Sequence, residues 1–543
     1  MILSANITEK SFGPKVLFDH LHIAVGDGEK IGLIGRNGVG KSTLFAILAG
    51  RDRDFAGDIT LRRGTTLVAT AQEHHHVGQQ TVMEYILGGL PEYLALKKII
   101  EHFTDKQNPS TRELTEYTDA VERFSAKNYY FIADQVREEL KNFQLGESAD
   151  RPFAALSGGQ KRLSEIVKIM HSGAHLALID EPTNFMDYVA KQQFIDWLKS
   201  TRAAVLVITH DRDVLGEVDR MIELKDGGAC NYKGNYDFYL RENASRTSSE
   251  MTAYEITERR CKNLKQKIID FKRLKERARD PGTIKQFKRL EQTARAELAE
   301  LENQVRPSFW IDKDSAKNLG YKDADRYEKF KAKNLRLGLK TAVPGHGRIL
   351  AYAKDLSLGY ETPLFEKQNF TLHEGEKLEL RGRNGAGKTT LVRALLGQKG
   401  PRVFAGELQL EAGTKVGLYE QEVDAKYFDL TLPAAIEKIH RDKNLSISDQ
   451  KIRQLLSDYL FTEADQKVLV RDLSGGQKAR LQIIAMLSGA PNLLILDEPT
   501  SHLDLPSIEE LENALLRYAG AILYISHDNY FRAKLGGEIV EIV

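Results

Sequence analysis

Gly35-Arg36-Asn37-Gly38-Val39-Gly40-Lys41-Ser42-Thr43 decides how the rest of this chain is read. The stretch fits Gly-x-x-x-x-Gly-Lys-Ser/Thr without a gap. Its glycines let the backbone curl until successive N–H groups point at one oxyanion. Lys41 can reach the outer phosphates of a nucleotide, and the Ser42 hydroxyl can ligate Mg²⁺. The flanks agree with that reading. Glu29 to Ile34 reads as a buried strand, and Ser42 to Leu48 as the start of a helix. The helix N-terminus then faces the phosphates. The pattern returns as Gly382-Arg383-Asn384-Gly385-Ala386-Gly387-Lys388-Thr389-Thr390, with Thr389 in the place of Ser42.

At 543 residues the chain is long enough for several domains. Hydrophobic residues make up 41% and charged residues 29%, so sizeable cores can form and a disordered chain is excluded. No apolar run approaches the roughly 18 residues that span a bilayer. The N-terminal Met1-Ile2-Leu3-Ser4-Ala5-Asn6 shows no basic-then-apolar signal pattern. Cys230 and Cys261 have no metal or redox spacing and read as free thiols of a reducing, cytoplasmic setting.

The chain is a long internal repeat. One copy carries Lys41, Gln72, Leu156-Ser157-Gly158-Gly159-Gln160, Asp180-Glu181 and His210. The other carries Lys388, Gln421, Leu473-Ser474-Gly475-Gly476-Gln477, Asp497-Glu498 and His527. Ser157 to Glu181 and Ser474 to Glu498 are both 24 residues; Glu181 to His210 and Glu498 to His527 are both 29. Gln72 to Ser157 is 85 residues but Gln421 to Ser474 only 53, so the first copy holds an insertion of about 30 residues, placed within 87–146. Leu176–Asp180 and Leu493–Asp497 are short apolar runs ending in acid, as buried parallel strands do. Two further apolar runs lead to His210 and His527, at the strand ends where sites form in open α/β sheets.

This set resembles the ATP-binding cassette ATPases, over both halves of the chain. The resemblance implies an α/β fold of two tandem P-loop NTPase domains, each a parallel-sheet core with a helical part that carries the Ser-Gly-Gly-Gln signature. It implies ATP and Mg²⁺ as ligands. Asp180 and Asp497, with Ser42 and Thr389, would hold the metal. Glu181 and Glu498 would act as general bases or position the attacking water. His210 and His527 would bond the γ-phosphate, and Gln72 and Gln421 would reach the metal and the water. In the family the signature of one cassette completes the phosphate site of the other. Ser474, Gly475, Gly476 and Gln477 are therefore expected opposite Lys41, and Ser157, Gly158, Gly159 and Gln160 opposite Lys388, in a monomer whose cassettes pair within the chain. Phe12 and Tyr360 stand upstream of the phosphate loops, either as adenine stackers or as ordinary strand aromatics.

The copies differ at one telling place. The second reads Glu498-Pro499-Thr500-Ser501-His502-Leu503-Asp504; the first reads Glu181-Pro182-Thr183-Asn184-Phe185-Met186-Asp187. Phe185-Met186 replaces the usual His-Leu, so the rates of the two sites are open to difference. The triple His74-His75-His76 lacks spaced partners for a metal and reads as a solvated loop.

Arg241 to Arg306 contains no cassette motif. Cys261, Leu264, Ile268, Phe271 and Leu274, then Ile284, Phe287, Leu290, Ala294, Leu298, Leu301 and Val305, fall at helical spacings around the turn signal Arg279-Asp280-Pro281-Gly282-Thr283. The segment reads as an antiparallel helical hairpin. From Arg259 to Arg289 there are thirteen Lys/Arg and three Asp/Glu, a balance of +10 in a chain whose net charge is +1. One sign dominates around the tip, so Lys272, Arg273, Lys275, Arg277, Arg279, Lys285, Lys288 and Arg289 are candidates to face a polyanion.

Two cassettes joined by a basic hairpin resemble the ABC-F subfamily. That resemblance implies residues 1–240 and 346–543 as cassettes and 241–345 as linker. It implies the ribosome as partner, through ribosomal RNA and peptidyl-site tRNA, with the hairpin entering near the peptidyl transferase centre to regulate or rescue translation. An antibiotic-resistance role within the subfamily and, in another class, the ATPase subunit of a membrane transporter are the alternatives. The short turn leans toward a general translation factor.

Overall fold

The computed structural model describes residues 1–13, 15–70, 79–104, 110–302, 310, 312, 327, 331, 333–337, 347–420 and 422–542. The chain divides into two compact units, Met1–Tyr236 with Leu335–Val543, and Asp237–Asn334. The first unit holds both cassettes.

Each cassette is built on a mainly parallel sheet. In the first, the strand order is Leu67–Ala69, Leu176–Asp180, Ala204–Ile208, Lys30–Gly35, Arg220–Lys225 and Gly228–Lys233. Only the last of these runs antiparallel to its neighbour. In the second, the order is Val416–Tyr419, Leu493–Asp497, Ala521–Ile525, Lys377–Arg381 and Glu538–Glu541, all parallel. Leu176–Asp180 and Leu493–Asp497 are buried at every position, as strands covered on both faces must be. Parallel register places Asp180 beside Ile208 and Asp497 beside Ile525, at one carboxyl-end edge with Gly35 and Arg381. A three-stranded antiparallel sheet packs with each core: Lys15–Val25, Leu3–Phe12 and Ala56–Leu61, and Pro363–His373, Ile349–Gly359 and Arg402–Leu410. These antiparallel sheets lie outside what the motifs foretold.

The signature helices Gly158–His171 and Gly475–Leu487 begin at Ser157 and Ser474. Each serine caps its helix through a reciprocal bond with the Gln three residues on. Ahead of them the second cassette has the helices Leu432–Asp442 and Asp449–Asp458. The first has Val82–Gly88, Tyr93–Thr104, Thr111–Ala126 and Ile132–Asn142. The rings of Phe103 and Tyr117 stack at 4.0 Å to fasten the middle two of those helices together.

The second unit contains the hairpin. Tyr236–Arg277 is one helix of 42 residues, about 63 Å at 1.5 Å per residue. Pro281–Glu302 is the returning helix. Leu264 and Ala294 are buried on its seam, and Arg260–Glu297 and Lys265–Glu302 pair across it, each at 2.7 Å. The turn is tighter than the signal suggested. Asp280 accepts from the Thr283 N–H at 2.8 Å and the Thr283 hydroxyl at 2.9 Å, and Pro281 already occupies the first helical position. Those bonds hold the Asp280 carboxyl below its usual range. Val305 and Arg306 lie outside the described residues.

Candidate functional site

The two phosphate loops curl in the same way. Gly40 and Gly387, at the N-caps of the helices Lys41–Leu48 and Lys388–Leu395, have φ of 103° and 101°. A Cβ there would meet Leu17 and Phe18, or Phe365, under 3 Å away, so both positions require glycine. Lys41 donates to the carbonyls of Gly35 at 2.6 Å and Arg36 at 3.4 Å; Lys388 donates to Gly382 at 2.7 Å and Arg383 at 2.8 Å. Burial pulls both ammonium groups below their usual range. The helix-start hydroxyls meet the strand-end acids: Ser42 to Asp180 at 3.1 Å, Thr389 to Asp497 at 2.8 Å. A hydroxyl and a carboxylate converging beside a phosphate loop are hard oxygen donors, the set that fits Mg²⁺.

Glu181 and Glu498 turn the chain sharply after their strands, with φ of 45° and 50°. Each carboxylate faces its histidine, Glu181 to His210 Nε2 at 3.6 Å and Glu498 to His527 Nε2 at 3.5 Å. Burial pushes both glutamates up to about 8, and the neighbouring lysine opposes it. Burial, reinforced by the same lysines, pushes His210 and His527 down to about 3. Both rings are therefore neutral and can donate one N–H each. The two ring nitrogens of His210 are buried and make no hydrogen bond among the described residues, which suits a ring that serves a phosphate oxygen.

The loops of one cassette face the other. Asn37 donates through its backbone N–H to Asp504 at 3.2 Å and through its side chain to the His502 carbonyl at 3.0 Å. Asn384 repeats both contacts with Asp187 at 3.3 Å and Phe185 at 3.1 Å. Arg383 adds bonds to Asp187 at 3.1 Å and the Asn142 carbonyl at 3.0 Å. Gly476 comes so near the opposite phosphate loop that a Cβ on it would lie 2.1 Å from the Asn37 amide. The signature of the second cassette is thus brought to the loop of Lys41. Phe185 and His502 use main-chain carbonyls for the contact, so the Phe-Met departure costs no bond there. Met186 is buried like Leu503; Phe185 packs over Gly159, the second signature glycine, whereas the His502 ring lies over Gly475, the first.

Phe12 and Tyr360 are 55% and 40% exposed, which is not how strand aromatics sit in a core; Lys10 stands 4.9 Å behind the Phe12 ring. Gln72, Gln421 and His74 to His76 lie outside the described residues. Seven of the eight hairpin cations, Lys272, Arg273, Arg277, Arg279, Lys285, Lys288 and Arg289, are exposed and make no ion pair among the described residues. Lys275 stands apart: it is half-buried, and its ammonium pairs with Glu291 at 2.6 Å.

The motifs did not point to several groups. Asp187 and Asp504 cap their helices and also receive the opposite phosphate loops. Arg162 donates to the Asp180 carbonyl at 2.5 Å, where the second copy has Ala479. Lys191, Arg212, Glu512 and Asp528 form a buried charged cluster between the cassettes. An acid at a predicted helix start was the available signal for the first pair. Of the others, Arg162, Lys191, Arg212 and Glu512 occur in only one copy, and a search for repeats passes over them; Asp528 recurs as Asp211 but carries no phosphate-site motif.

Paired phosphate loops that reach across to the opposite cassette, acid-ended strands and a signature glycine set against the opposite loop define an ATP-hydrolysing cassette pair. The ABC transporter family model matches residues 18–184 and 365–501, and a second model of the same description matches residues 222–306. The chain belongs to this family, as an ATPase of the ABC-F type. It is 29% identical to the Bacillus subtilis ABC transporter ATP-binding protein YfmR, over 99% of this chain and 80% of that protein. It is 28% identical to the ribosome protection protein VmlR of Bacillus subtilis, over 96% of this chain and 83% of that protein. Among solved structures it resembles the archaeal ribosome recycling factor aABCE1 in complex with the ribosomal stalk protein aP1, at TM-score 0.57 and 19% identity, over 99% of this chain and 87% of that one.

Proposed function

We propose that this chain is a cytoplasmic, ribosome-bound, Mg²⁺-dependent ATPase that regulates translation or rescues stalled ribosomes. Its closed cassettes would present the hairpin tip to ribosomal RNA and peptidyl-site tRNA. The observation that carries the reading is the set of seven exposed, unpaired cations at that tip. Such a surface fits a phosphate backbone. The ribosomal relative and the ribosomal neighbour support the same direction. A transporter motor has no use for a basic arm, and among the described residues no helix is long and apolar enough to cross a membrane.

The chain's groups divide the work at each site. Lys41 and Lys388 exchange their loop carbonyls for the outer phosphates. Ser42 with Asp180, and Thr389 with Asp497, would hold Mg²⁺, which would offset phosphate charge. Glu181 and Glu498 orient the attacking water and take its proton as its oxygen bonds to the γ-phosphorus and ADP leaves. Neutral His210 and His527 donate to the γ-phosphate. Phe12 and Tyr360 stack on adenine, and the resemblance would add Gln72 and Gln421 as contacts to the metal and the attacking water. Ser157 and Gly159 close the Lys388 site, and Ser474 and Gly476 the Lys41 site. In this reading residues 1–240 and 346–543 are the motor and 241–345 the arm.

Ribosome co-sedimentation tests the proposal. Wild-type protein pellets with ribosomes in ATP and low salt, and less as salt rises. A protein that hydrolyses ATP yet stays in the supernatant at low salt overturns the reading in favour of a transporter motor.

A further inference from the structure

The helix Tyr188–Ser200 of the first cassette grips the second at two levels. At its N-cap, Asp187 holds Arg383 and Asn384. One turn on, the ammonium of Lys191, only 3% exposed, donates to the His527 carbonyl at 2.6 Å. Asp213 at 2.5 Å and Asp211 at 3.2 Å flank it. Burial opposes the charge, but these two acids outweigh burial and raise the ammonium above its usual range. The next two residues of the second cassette are held as well: Arg212 pairs with Asp528 at 3.0 Å and with Glu512, and Asp213 accepts from the Asn529 amide at 2.8 Å.

The N–H of His527 donates to Glu498 at 3.2 Å. One residue therefore links Lys191, through its carbonyl, to the carboxylate of the Lys388 site, through its amide. Among the described residues the reverse arrangement is absent. Lys191 follows Asp187 by four residues; the residue four after Asp504 is Ile508, whose side chain has no donor. Asn529-Tyr530 likewise stands where the first copy has Arg212-Asp213.

We propose that Lys191 is a positioning residue that sets His527 and Glu498 of the Lys388 site from across the cassette interface, and that the two ATP sites are therefore unequal, with no such hold on the Lys41 site. The inference rests on the catalytic reading given above. Once the cassettes part, Lys191 leaves His527, so hydrolysis at the Lys388 site is tied to closure by this bond.

The test is ATP turnover by the full chain with one site active at a time. Glu181→Gln leaves the Lys388 site, and Glu498→Gln leaves the Lys41 site. Adding Lys191→Ile, which copies the second cassette, should lower kcat of the Lys388 site by roughly ten- to a hundredfold, as misplaced catalytic groups do, with KM for ATP little changed. Turnover at the Lys41 site should persist, which also shows that the variant folds. Lys191→Arg should restore most of the loss. Equal losses at both sites, a change confined to KM, or no loss overturns the inference alone. Undiminished hydrolysis by the double Gln variant, before Lys191 is touched, sinks the catalytic reading and this inference with it.

Discussion

The backbone N–H of Asn37 donates to the carboxylate of Asp504 at 3.2 Å, across 467 positions of sequence. The same carboxylate caps its own helix through the Ser507 N–H at 3.1 Å. One side chain thus starts a helix in one cassette and holds a phosphate loop in the other. Asp504→Ala should cost about 1 kcal/mol of stability as a lost cap. It should also slow turnover at the Lys41 site roughly tenfold, the worth of one charge-assisted bond. Thermal melting and single-site turnover separate the effects. A melting shift with unchanged turnover refutes the role across the interface.

Lys41→Ala with Lys388→Ala should abolish ATP binding, because both phosphate sites lose the cation that starts the helix behind the loop and reaches the outer phosphates. Equilibrium binding of a fluorescent ATP analogue measures this. Hydrolysis at the wild-type rate by the double variant would show that the sites lie elsewhere.

Glu181→Gln with Glu498→Gln should bind ATP and remain closed, since the amide fills nearly the same space but takes no proton. Without loss of the γ-phosphate the closed state has no exit. The variant should accumulate on ribosomes in ATP and arrest translation in vitro, whereas wild type cycles off. Normal protein synthesis alongside ATP-loaded, unbound variant would count against the ribosomal reading.

The eight hairpin cations should fall into two classes. Lys272→Glu, Arg273→Glu and Arg277→Glu together should weaken ribosome pelleting and flatten its salt dependence, because each phosphate contact releases a counterion. Lys275→Ala should leave the salt slope unchanged and instead loosen the hairpin by up to about 1 kcal/mol, since its charge already serves Glu291. Salt titrations of pelleting, with helix melting followed by circular dichroism, discriminate them. An equal slope change from Lys275→Ala would erase the distinction.

Arg212→Ala should favour open cassettes, because Asp528 would stay buried without its arginine and Glu512 would keep only Lys534. Fluorescence transfer between dyes on the two cassettes reads the change directly. A closed fraction in ATP equal to wild type would show that the cluster is passive.

Much of the site was legible because phosphate chemistry demands fixed residue types at fixed spacings: Lys41 and Lys388, Asp180 and Asp497, Glu181 and Glu498 declare themselves twice. The parallel strands followed from five-residue apolar runs ending in acid. The antiparallel sheets were not read, since Leu3–Phe12 and Ile349–Gly359 carry no chemical motif and draw their pattern from tertiary pairing. The asymmetry at Lys191 and Ile508 was invisible for a different reason. Repeats draw the eye to what two copies share, while this contact depends on what they do not. Lys275 looked like any other tip cation, because sequence spacing does not say which charge folds back on Glu291.

Glu181 and Glu498 hold the chain in left-handed turns that L side chains other than Asn and Asp rarely adopt, one at each site. Folding alone would choose glycine there. The protein carries two partly buried acids in strained backbone that work against its own melting point, at the positions proposed to do the chemistry. Selection of this chain for heat resistance alone, with no demand for turnover, should therefore replace these two glutamates early and yield a sturdier molecule that no longer cycles.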